Sequence, residues 1–286
     1  MANGAADEVS VSRRDLTGRV VLISGAAGGL GTALCLRFAR AGSLIAAMDL
    51  DAARLDALIL ALQEVGAQAL ALPGDITDPA ACKAAVAATL GRFGVLDGLI
   101  NNAGISHRSL LRDTRPEVIG NVMAVNFFGA VHLTQAALPH VTKQRGFVAA
   151  ISSVAGFSPL IGRTGYAASK HALHGFFDSL RSEVEDQGVS VTLVCPSFIR
   201  TGIGAAGLAG DGTKAVSPRL TSGGESSAGD IADRIYVAIA KNCRLLLPDR
   251  TARLAWWLSR IAPALYARAM KRRLSAEFES KPHRPT

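Results

Sequence analysis

The feature that most constrains this chain is a regular alternation of short apolar runs with longer stretches of helical periodicity. The first run, residues 19–24, precedes a glycine-rich turn and a helical stretch, and this unit recurs up to about residue 248. When successive strands are connected by helices, the strands run parallel, the crossovers are right-handed and the helices cover both faces of the sheet. We therefore predict an α/β fold, a doubly wound parallel sheet in one domain over residues 17–248. Residues 249–286 would form a basic helical extension.

Charge is distributed unevenly along the chain. From Lys241 onward the sequence contains eleven Lys or Arg residues and three acidic residues. This segment therefore accounts for the entire formal net charge of +8. A nucleic-acid-binding protein usually carries its positive charge on the folded body, so no nucleic-acid partner is expected. With 49% hydrophobic and 19% charged residues, the chain is also too apolar for a disordered protein.

The cysteines give no sign of a disulfide or a metal site. Cys35, Cys82, Cys195 and Cys243 lie far apart, without a CxxC pair or a nearby His at ligand spacing, so we predict reduced thiols and no metal. The first 18 residues lack the apolar segment of a secretory signal, and we expect no run of about 20 apolar residues that would span a membrane. These features favour a cytoplasmic protein, peripheral to a membrane at most.

A glycine-rich turn between the first strand and the first helix indicates a dinucleotide site. Residues 24–31 (Ser-Gly-Ala-Ala-Gly-Gly-Leu-Gly) would let a pyrophosphate approach the helix N-terminus. Asp49 ends the second strand, near the offset of an acid that hydrogen-bonds the ribose hydroxyls. Its carboxylate would repel a 2′-phosphate, so NAD(H) is favoured over NADP(H). A simple cap for the next helix is the alternative role for Asp49.

Two further turns belong to the same edge of the sheet. The first follows the third strand, where Asp75 would hydrogen-bond the adenine edge, and the second ends the fourth strand with small residues. The cofactor contacts predicted from all these turns are Ser24, Gly25, Gly29, Leu30, Gly31, Asp49, Asp75, Ile76, Asn102, Ala103 and Gly104.

A tyrosine and a lysine at helical spacing suggest acid–base chemistry. Tyr166 and Lys170 are four residues apart and share one helix face. A tyrosine with its ordinary pKa of about 10 is a poor base near neutral pH. An ammonium one turn away, in a partly desolvated cleft, favours the phenolate. Ser153 lies 13 residues before Tyr166, at the end of the fifth strand, and Asn126 lies in the preceding long helix.

With the TGxxxGxG-like turn, residues 101–104, Ser153 and the YxxxK pair in this order, the chain resembles the short-chain dehydrogenase/reductase family over about residues 17–248. The resemblance implies a Rossmann-type fold, a nicotinamide cofactor and a carbonyl/alcohol redox reaction. The implied catalytic set is Asn126, Ser153, Tyr166 and Lys170. Ser153 would orient the substrate oxygen, Lys170 would also bind the nicotinamide ribose, and Asn126 would hold a proton-relay water.

The resemblance also assigns cofactor contacts after the sixth strand, where the sequence departs from the family. Pro196 lies beside the cofactor, the Ile199 backbone would meet the nicotinamide carboxamide, and the Thr201 hydroxyl the pyrophosphate. The family commonly has Pro-Gly where this chain has Pro196-Ser197, and it usually has Thr where this chain has Ser24.

The remaining segments concern the substrate and assembly. Residues 201–229 are rich in glycine and predict a flexible substrate lid. The extension carries both tryptophans among many arginines, so it would either bind a membrane interface or pack over the cleft or a neighbouring subunit. Pro263 should break or kink it. The helices at 115–140 and 166–187 form the subunit interface in related enzymes, which implies a homodimer or homotetramer.

Together these features predict an oxidoreductase that transfers a hydride between NAD(H) and a small hydrophobic substrate. The substrate would be a secondary alcohol or ketone of steroid, retinoid or acyl type. One alternative is an NADPH-dependent reductase of 3-oxoacyl thioesters. The other is a non-catalytic, nucleotide-binding scaffold held on membranes by its extension.

Overall fold

Seven parallel strands form the central sheet of the computed structural model, which describes residues 14–200, 207–215, 224–275 and 278. The strands are β1 (Val20–Ser24), β2 (Leu44–Asp49), β3 (Ala69–Pro73), β4 (Gly98–Asn101), β5 (Phe147–Ile151), β6 (Ser190–Val194) and β7 (Leu245–Leu246). Their order is β3-β2-β1-β4-β5-β6-β7, and each neighbouring pair is parallel. This is the predicted doubly wound, Rossmann-type sheet.

Helices cover both faces of the sheet. They are α1 (Gly29–Arg40), α2 (Ala52–Glu64), α3 (Pro79–Phe93), α4 (Pro116–Met123), α5 (Gly129–Lys143), α6 (Thr164–Val184) and α7 (Ala228–Ala240). On one face, Phe38 of α1 and Ile235 of α7 pack into a buried apolar cluster. On the other face, Leu133 of α5 and Phe177 of α6 belong to a second cluster. Burial on both faces explains why the strands are apolar at nearly every position.

Local chemistry sets several of these boundaries. Asp78 accepts a hydrogen bond from the Ala80 N–H at 2.8 Å, and Pro79 occupies the first helical position of α3. Gly94 ends the helix with φ +79°, a conformation in which glycine avoids the steric cost of a Cβ. The bounds of α3 therefore follow from residues within its own sequence.

The helix that runs from Pro116 to Lys143 corrects one expectation. Its length and apolar composition would suffice to cross a membrane, although no such run was expected. Buried residues recur every three or four positions along it, among them Val122, Leu133 and Val141, and they pack into the domain core. Between α4 and α5 the helix widens into a π-turn, Ala124–Phe128, that the apolar pattern did not reveal.

The extension folds into two helices, α8 (Arg250–Ile261) and α9 (Pro263–Leu274), which pack on each other and which we call the C-terminal hairpin. Pro263 is the first residue of α9, so it separates the two helices as expected. Ala252, Ala255 and Tyr266 are buried in a small apolar cluster with Val154, which follows β5. The hairpin is therefore seated on the domain at the turn after β5.

The strand order reverses on either side of β1, which pairs with both β2 and β4. The chain leaves β1 and β4 toward opposite sides, and a crevice opens at their carboxyl ends. Ligands of open α/β sheets bind at this kind of switch point. The predicted site residues follow these strand ends.

Candidate active site

A cleft of about 470 Å³ lies at the carboxyl ends of the central strands. Its lining includes every predicted cofactor contact that the structure describes, from Ser24 in the glycine turn to Ile199 after β6. It also includes Ser153, Tyr166 and Lys170, whereas Asn126 is absent from the described lining. Thr201 and much of the predicted lid (201–206 and 216–223) lie outside the described residues.

The glycine turn is built so that side chains would not fit. Gly25 has φ +62°, and a Cβ there would lie 2.7 Å from the Ala103 Cα. A Cβ at Gly31 would lie 2.8 Å from the Ala26 Cα and collide with the Gly25 carbonyl oxygen. Gly28 is the N-cap of α1 and offers no side-chain cap, so the first N–H groups of the helix face the cleft end of the turn. We call this turn, residues 24–31, the glycine cradle, and its shape fits a pyrophosphate.

Ser24 and Asn102 join the turn after β1 to the turn after β4. The Ser24 hydroxyl accepts hydrogen bonds from the N–H groups of Asn102 and Ala103, both at 3.1 Å. The Asn102 amide donates to the carbonyl oxygens of Ser24 and Gly25, both at 3.0 Å. Both residues line the cleft, and these contacts keep its floor in place. A hydroxyl is sufficient for this, which explains why Ser serves where the family usually has Thr.

Asp49 is tied to the glycine turn rather than to the following helix. One carboxylate oxygen accepts the Ala27 N–H at 2.9 Å, and the other accepts the Asp51 N–H at 3.1 Å. The N-cap of α2 is Asp51, which accepts the Arg54 N–H at 3.1 Å. The alternative that Asp49 merely caps this helix is therefore wrong. Its carboxylate lines the cleft, as a ribose-binding acid would.

Arg54 is a cleft residue that the sequence did not predict. It lies in the first turn of α2 and lines the same end of the cleft as Asp49 and Leu50. Arg54 is five residues after Asp49 in the sequence, and the positions directly after Asp49 carry no basic residue. The helical period would have revealed Arg54, because a residue one turn into α2 returns toward the end of β2.

The turn after β3 forms the next part of the wall. The Asp75 carboxylate accepts hydrogen bonds from the N–H and the hydroxyl of Thr77, both at 2.8 Å. Ile76 is buried and lines the cleft. A Cβ at Gly129 would lie 2.8 Å from the Ile76 side chain, so α5 holds this wall closely.

Tyr166 and Lys170 lie together in the cleft. Both occupy the first turns of α6, and the Lys170 Nζ is 5.7 Å from the centroid of the Tyr166 ring. The Lys170 Nζ also donates to the Ile151 carbonyl oxygen at 2.9 Å, and the residue is only 4% exposed. Burial lowers the pKa of Lys170 from 10.5 to about 8.

Ser153 follows β5 and faces the same cleft. Its hydroxyl accepts the Ala155 N–H at 3.2 Å and so caps the short turn Val154–Gly156. The Val154 N–H donates to the Pro196 carbonyl oxygen at 3.1 Å, which joins this turn to the segment after β6. Ser153, Tyr166 and Lys170 are thus brought to one cleft by two different elements.

Asn126 lies behind the cleft, in the π-turn. Its carboxamide oxygen accepts the Ile105 N–H at 2.7 Å, and its nitrogen donates to the Ile105 carbonyl and to the Ser169 hydroxyl, both at 3.0 Å. A Cβ at Gly104 would lie 3.1 Å from this oxygen and 3.6 Å from the Lys170 Nζ. These contacts fix the segment after β4 beside Lys170. The water-relay role remains a prediction.

Ser197 departs from the family pattern, and its contacts explain the departure. Its N–H and its hydroxyl donate to the carboxylate of Asp249 at 3.0 and 2.8 Å. Asp249 also caps α8 by accepting the Ala252 N–H at 2.7 Å. Residues 196–199, which are predicted to contact the cofactor and which we call the cofactor segment, are therefore held to the C-terminal hairpin. Sequence reasoning found no role for either side chain.

Comparison with known proteins agrees with this architecture. The family model described as short chain dehydrogenase matches residues 19–209. The bovine (Bos taurus) dehydrogenase/reductase SDR family member 7B is 39% identical over 271 residues, covering 92% of this chain and 83% of the bovine protein. An 11-beta-hydroxysteroid dehydrogenase-like 2 from Arabidopsis thaliana is 34% identical over 189 residues, covering 65% and 61%.

A solved structure has the same fold. A short chain dehydrogenase/reductase from Burkholderia phymatum, crystallised in complex with NAD, superposes with a TM-score of 0.75. The match covers 96% of this chain and 99% of that one at 24% sequence identity.

Proposed function

The chain belongs to the short-chain dehydrogenase/reductase family of NAD(P)-dependent oxidoreductases, and on that premise we propose that it interconverts a hydrophobic secondary alcohol and its ketone with NAD(H). The observation that carries the proposal is the convergence of Ser153, Tyr166 and Lys170 on the cleft that also contains the glycine cradle. A bound nicotinamide supplies or accepts the hydride.

Tyr166 is the proton donor for ketone reduction and the proton acceptor for alcohol oxidation. Its phenol is half-buried in the cleft wall, and the Lys170 ammonium lies 5.7 Å from its ring centroid. A positive charge at this distance in a partly desolvated site favours the phenolate over the phenol. The Ser153 hydroxyl donates to the substrate oxygen and stabilises the charge that develops on it.

Asp49 supports NAD(H) as the cofactor. Its carboxylate lies at the end of β2 and is held by the glycine turn, so a 2′-phosphate at this end of the cleft would meet a fixed negative charge. Arg54 lines the same region and would offset part of that repulsion.

The other end of the cleft supports a mainly apolar substrate. Val154, Leu160 and Phe198 line it near Ser153. This lining suits a mainly hydrophobic substrate. The Arabidopsis relative is named 11-beta-hydroxysteroid dehydrogenase-like 2, so steroids are the first compounds to assay.

We also propose that the protein works as a homodimer or homotetramer. The face formed by the π-turn and α6 carries an aromatic group in which the rings of Phe127 and Phe176 lie 6.0 Å apart. Phe128 beside them is 49% exposed. Burial of this group between subunits would remove apolar surface from water.

The experiment titrates the purified protein with NADH and NADPH by nucleotide fluorescence, then assays steroid, retinoid and medium-chain ketones and alcohols. We expect NADH to bind about tenfold more tightly or better, and turnover with at least one apolar ketone or alcohol. Tighter binding of NADPH with turnover of 3-oxoacyl thioesters would instead support the thioester reductase. Nucleotide binding without turnover of any compound would support the scaffold.

A further inference from the structure

The outward face of the C-terminal hairpin exposes three large apolar side chains together. Leu254, Trp257 and Ile261 are 60%, 62% and 75% exposed. Their spacing of three and four residues places them on one face of α8. Isolated exposed apolar residues are common on soluble proteins, but a group on one helix face marks a contact surface.

Every exposed charged side chain among the described residues of α8 and α9 is basic. Arg250 and Arg253 are exposed and fall at the helical positions next to Leu254 and Trp257. On α9, Arg268 and Arg272 are exposed beside Leu265, which is 62% exposed. The sequence from residue 250 to residue 275 contains no Asp or Glu. An occupant of this face must therefore combine an apolar layer with negative charge.

The opposite face of α8 is already occupied. Ala252 and Ala255 are 0% and 6% exposed, and the Phe157 ring meets the Trp256 ring edge-on with centroids 4.9 Å apart. The Arg260 guanidinium stacks on Trp256, and Asp249 fixes the start of the helix. The inner face of α8 thus packs on the domain at the turn after β5. The outer face remains exposed.

We propose that this outer face docks on the surface of an anionic phospholipid bilayer. Leu254, Trp257 and Ile261 would enter the boundary between headgroups and acyl chains, as the apolar side of an interfacial helix does. The arginines would pair with lipid phosphates and anionic headgroups. The aliphatic parts of these long side chains tolerate the same apolar boundary.

A second copy of this chain is the less suitable occupant. Two hairpins packed face to face would oppose Arg250 and Arg253 to like charges, with no acidic residue between 250 and 275 to pair with them. Like-charge contacts at a desolvated interface are unfavourable. An anionic bilayer satisfies the charge and the apolar group together.

Tryptophan fluorescence and vesicle flotation test the proposal with the full chain. Trp256 and Trp257 are the only tryptophans of the sequence, so the emission reports the hairpin alone. With vesicles of phosphatidylcholine and 20–30% phosphatidylserine (about the anionic content needed for surface charge), we expect a blue shift and flotation of the protein. Pure phosphatidylcholine or high salt should reduce the bound fraction about tenfold.

Variants distinguish vesicle binding through this face from non-specific adsorption of the protein. The triple change Leu254→Ser, Trp257→Ser and Ile261→Ser alters exposed side chains only and should abolish flotation while unfolding in urea stays at wild-type values. Leu60→Ser is the matched control, because Leu60 on α2 is also 62% exposed, and it should float like wild type. Replacing Arg250, Arg253, Arg268 and Arg272 by Gln should remove the preference for phosphatidylserine.

Three results would overturn the proposal. The first is wild-type protein that stays unbound with anionic vesicles. The second is a triple variant that floats as well as Leu60→Ser. The third is a dimer in light scattering that the triple variant converts to a monomer, which would assign the face to a second copy.

Discussion

Asp249 accepts two hydrogen bonds from Ser197, one from its N–H at 3.0 Å and one from its hydroxyl at 2.8 Å. The same carboxylate caps α8 through the Ala252 N–H at 2.7 Å. One side chain thus connects the cofactor segment after β6 with the C-terminal hairpin. A substitution that releases the hairpin should therefore also weaken nucleotide binding in the cleft.

Asp249→Ala tests this connection. The variant loses the helix cap and both bonds to Ser197, so we expect the free energy of unfolding to fall by about 1–3 kcal/mol. We also expect the Kd for NADH to rise several-fold, because the cofactor segment is no longer held. Asp249→Asn keeps an acceptor for the cap and serves as the control, with smaller losses. Urea denaturation and NADH titration measure both effects, and wild-type values for Asp249→Ala would contradict the connection.

Gly31→Ala tests the fit of the glycine cradle. A Cβ at Gly31 would lie 2.8 Å from the Ala26 Cα and collide with the Gly25 carbonyl, so the turn must open and nucleotide binding should weaken at least tenfold. Gly91→Ala is the control, because nothing lies within 4 Å of a Cβ there and Gly91 is inside α3. This change should stabilise the protein by up to about 1 kcal/mol and leave nucleotide binding intact. Equal nucleotide affinity in the two variants would refute the cradle.

Asp49→Asn should relax the preference for NADH. Asparagine can still accept the Ala27 N–H, but it no longer repels a 2′-phosphate, while Arg54 remains in the cleft. We expect the ratio of the Kd for NADPH to that for NADH to fall about tenfold. A second change, Arg54→Ala, should restore much of the ratio. An unchanged ratio in Asp49→Asn would remove Asp49 from cofactor discrimination.

Lys170→Met should change stability in a pH-dependent manner. Because burial holds the pKa of Lys170 at about 8 against 10.5 for a free lysine, the unfolded chain binds more protons at this site between these two values. The wild-type protein therefore carries the full cost of the buried charge below pH 8 and loses that cost as the pH rises toward 10.5.

Lys170→Met has no such cost at any pH. Relative to wild type, its free energy of unfolding should thus fall by about 2 kcal/mol between pH 7.5 and pH 10. Urea denaturation at both pH values, without nucleotide, measures the difference. A difference that stays constant with pH would mean that Lys170 titrates like an exposed lysine.

Much of the fold could be predicted because its signals are local. β2 ends at Asp49, as predicted, and the start of α3 follows from the adjacent residues Asp78 and Pro79. Most residues that line the cleft could also be predicted, because the carboxyl ends of parallel strands meet at one edge of the sheet and the glycine turn identifies the first strand.

The missed features depend on partners that are distant in sequence. Ser197 and Asp249 are 52 residues apart, and nothing near either residue signals the other. The π-turn that contains Asn126 was not predicted, because apolar spacing does not distinguish a five-residue π-turn from an α-turn. The two faces of α8 could not be assigned either, since the sequence shows that Trp256 and Trp257 are adjacent but not which one packs inward.

Tyr166→Phe tests the central claim most directly. The variant keeps the ring beside Lys170 and removes only the hydroxyl, so NADH should bind within about twofold of wild type. Turnover of the substrate found in the screen should fall by about 10²–10⁴-fold, the usual contribution of a positioned acid–base group. Wild-type turnover by Tyr166→Phe would show that another group moves the proton, and the proposed mechanism would be wrong.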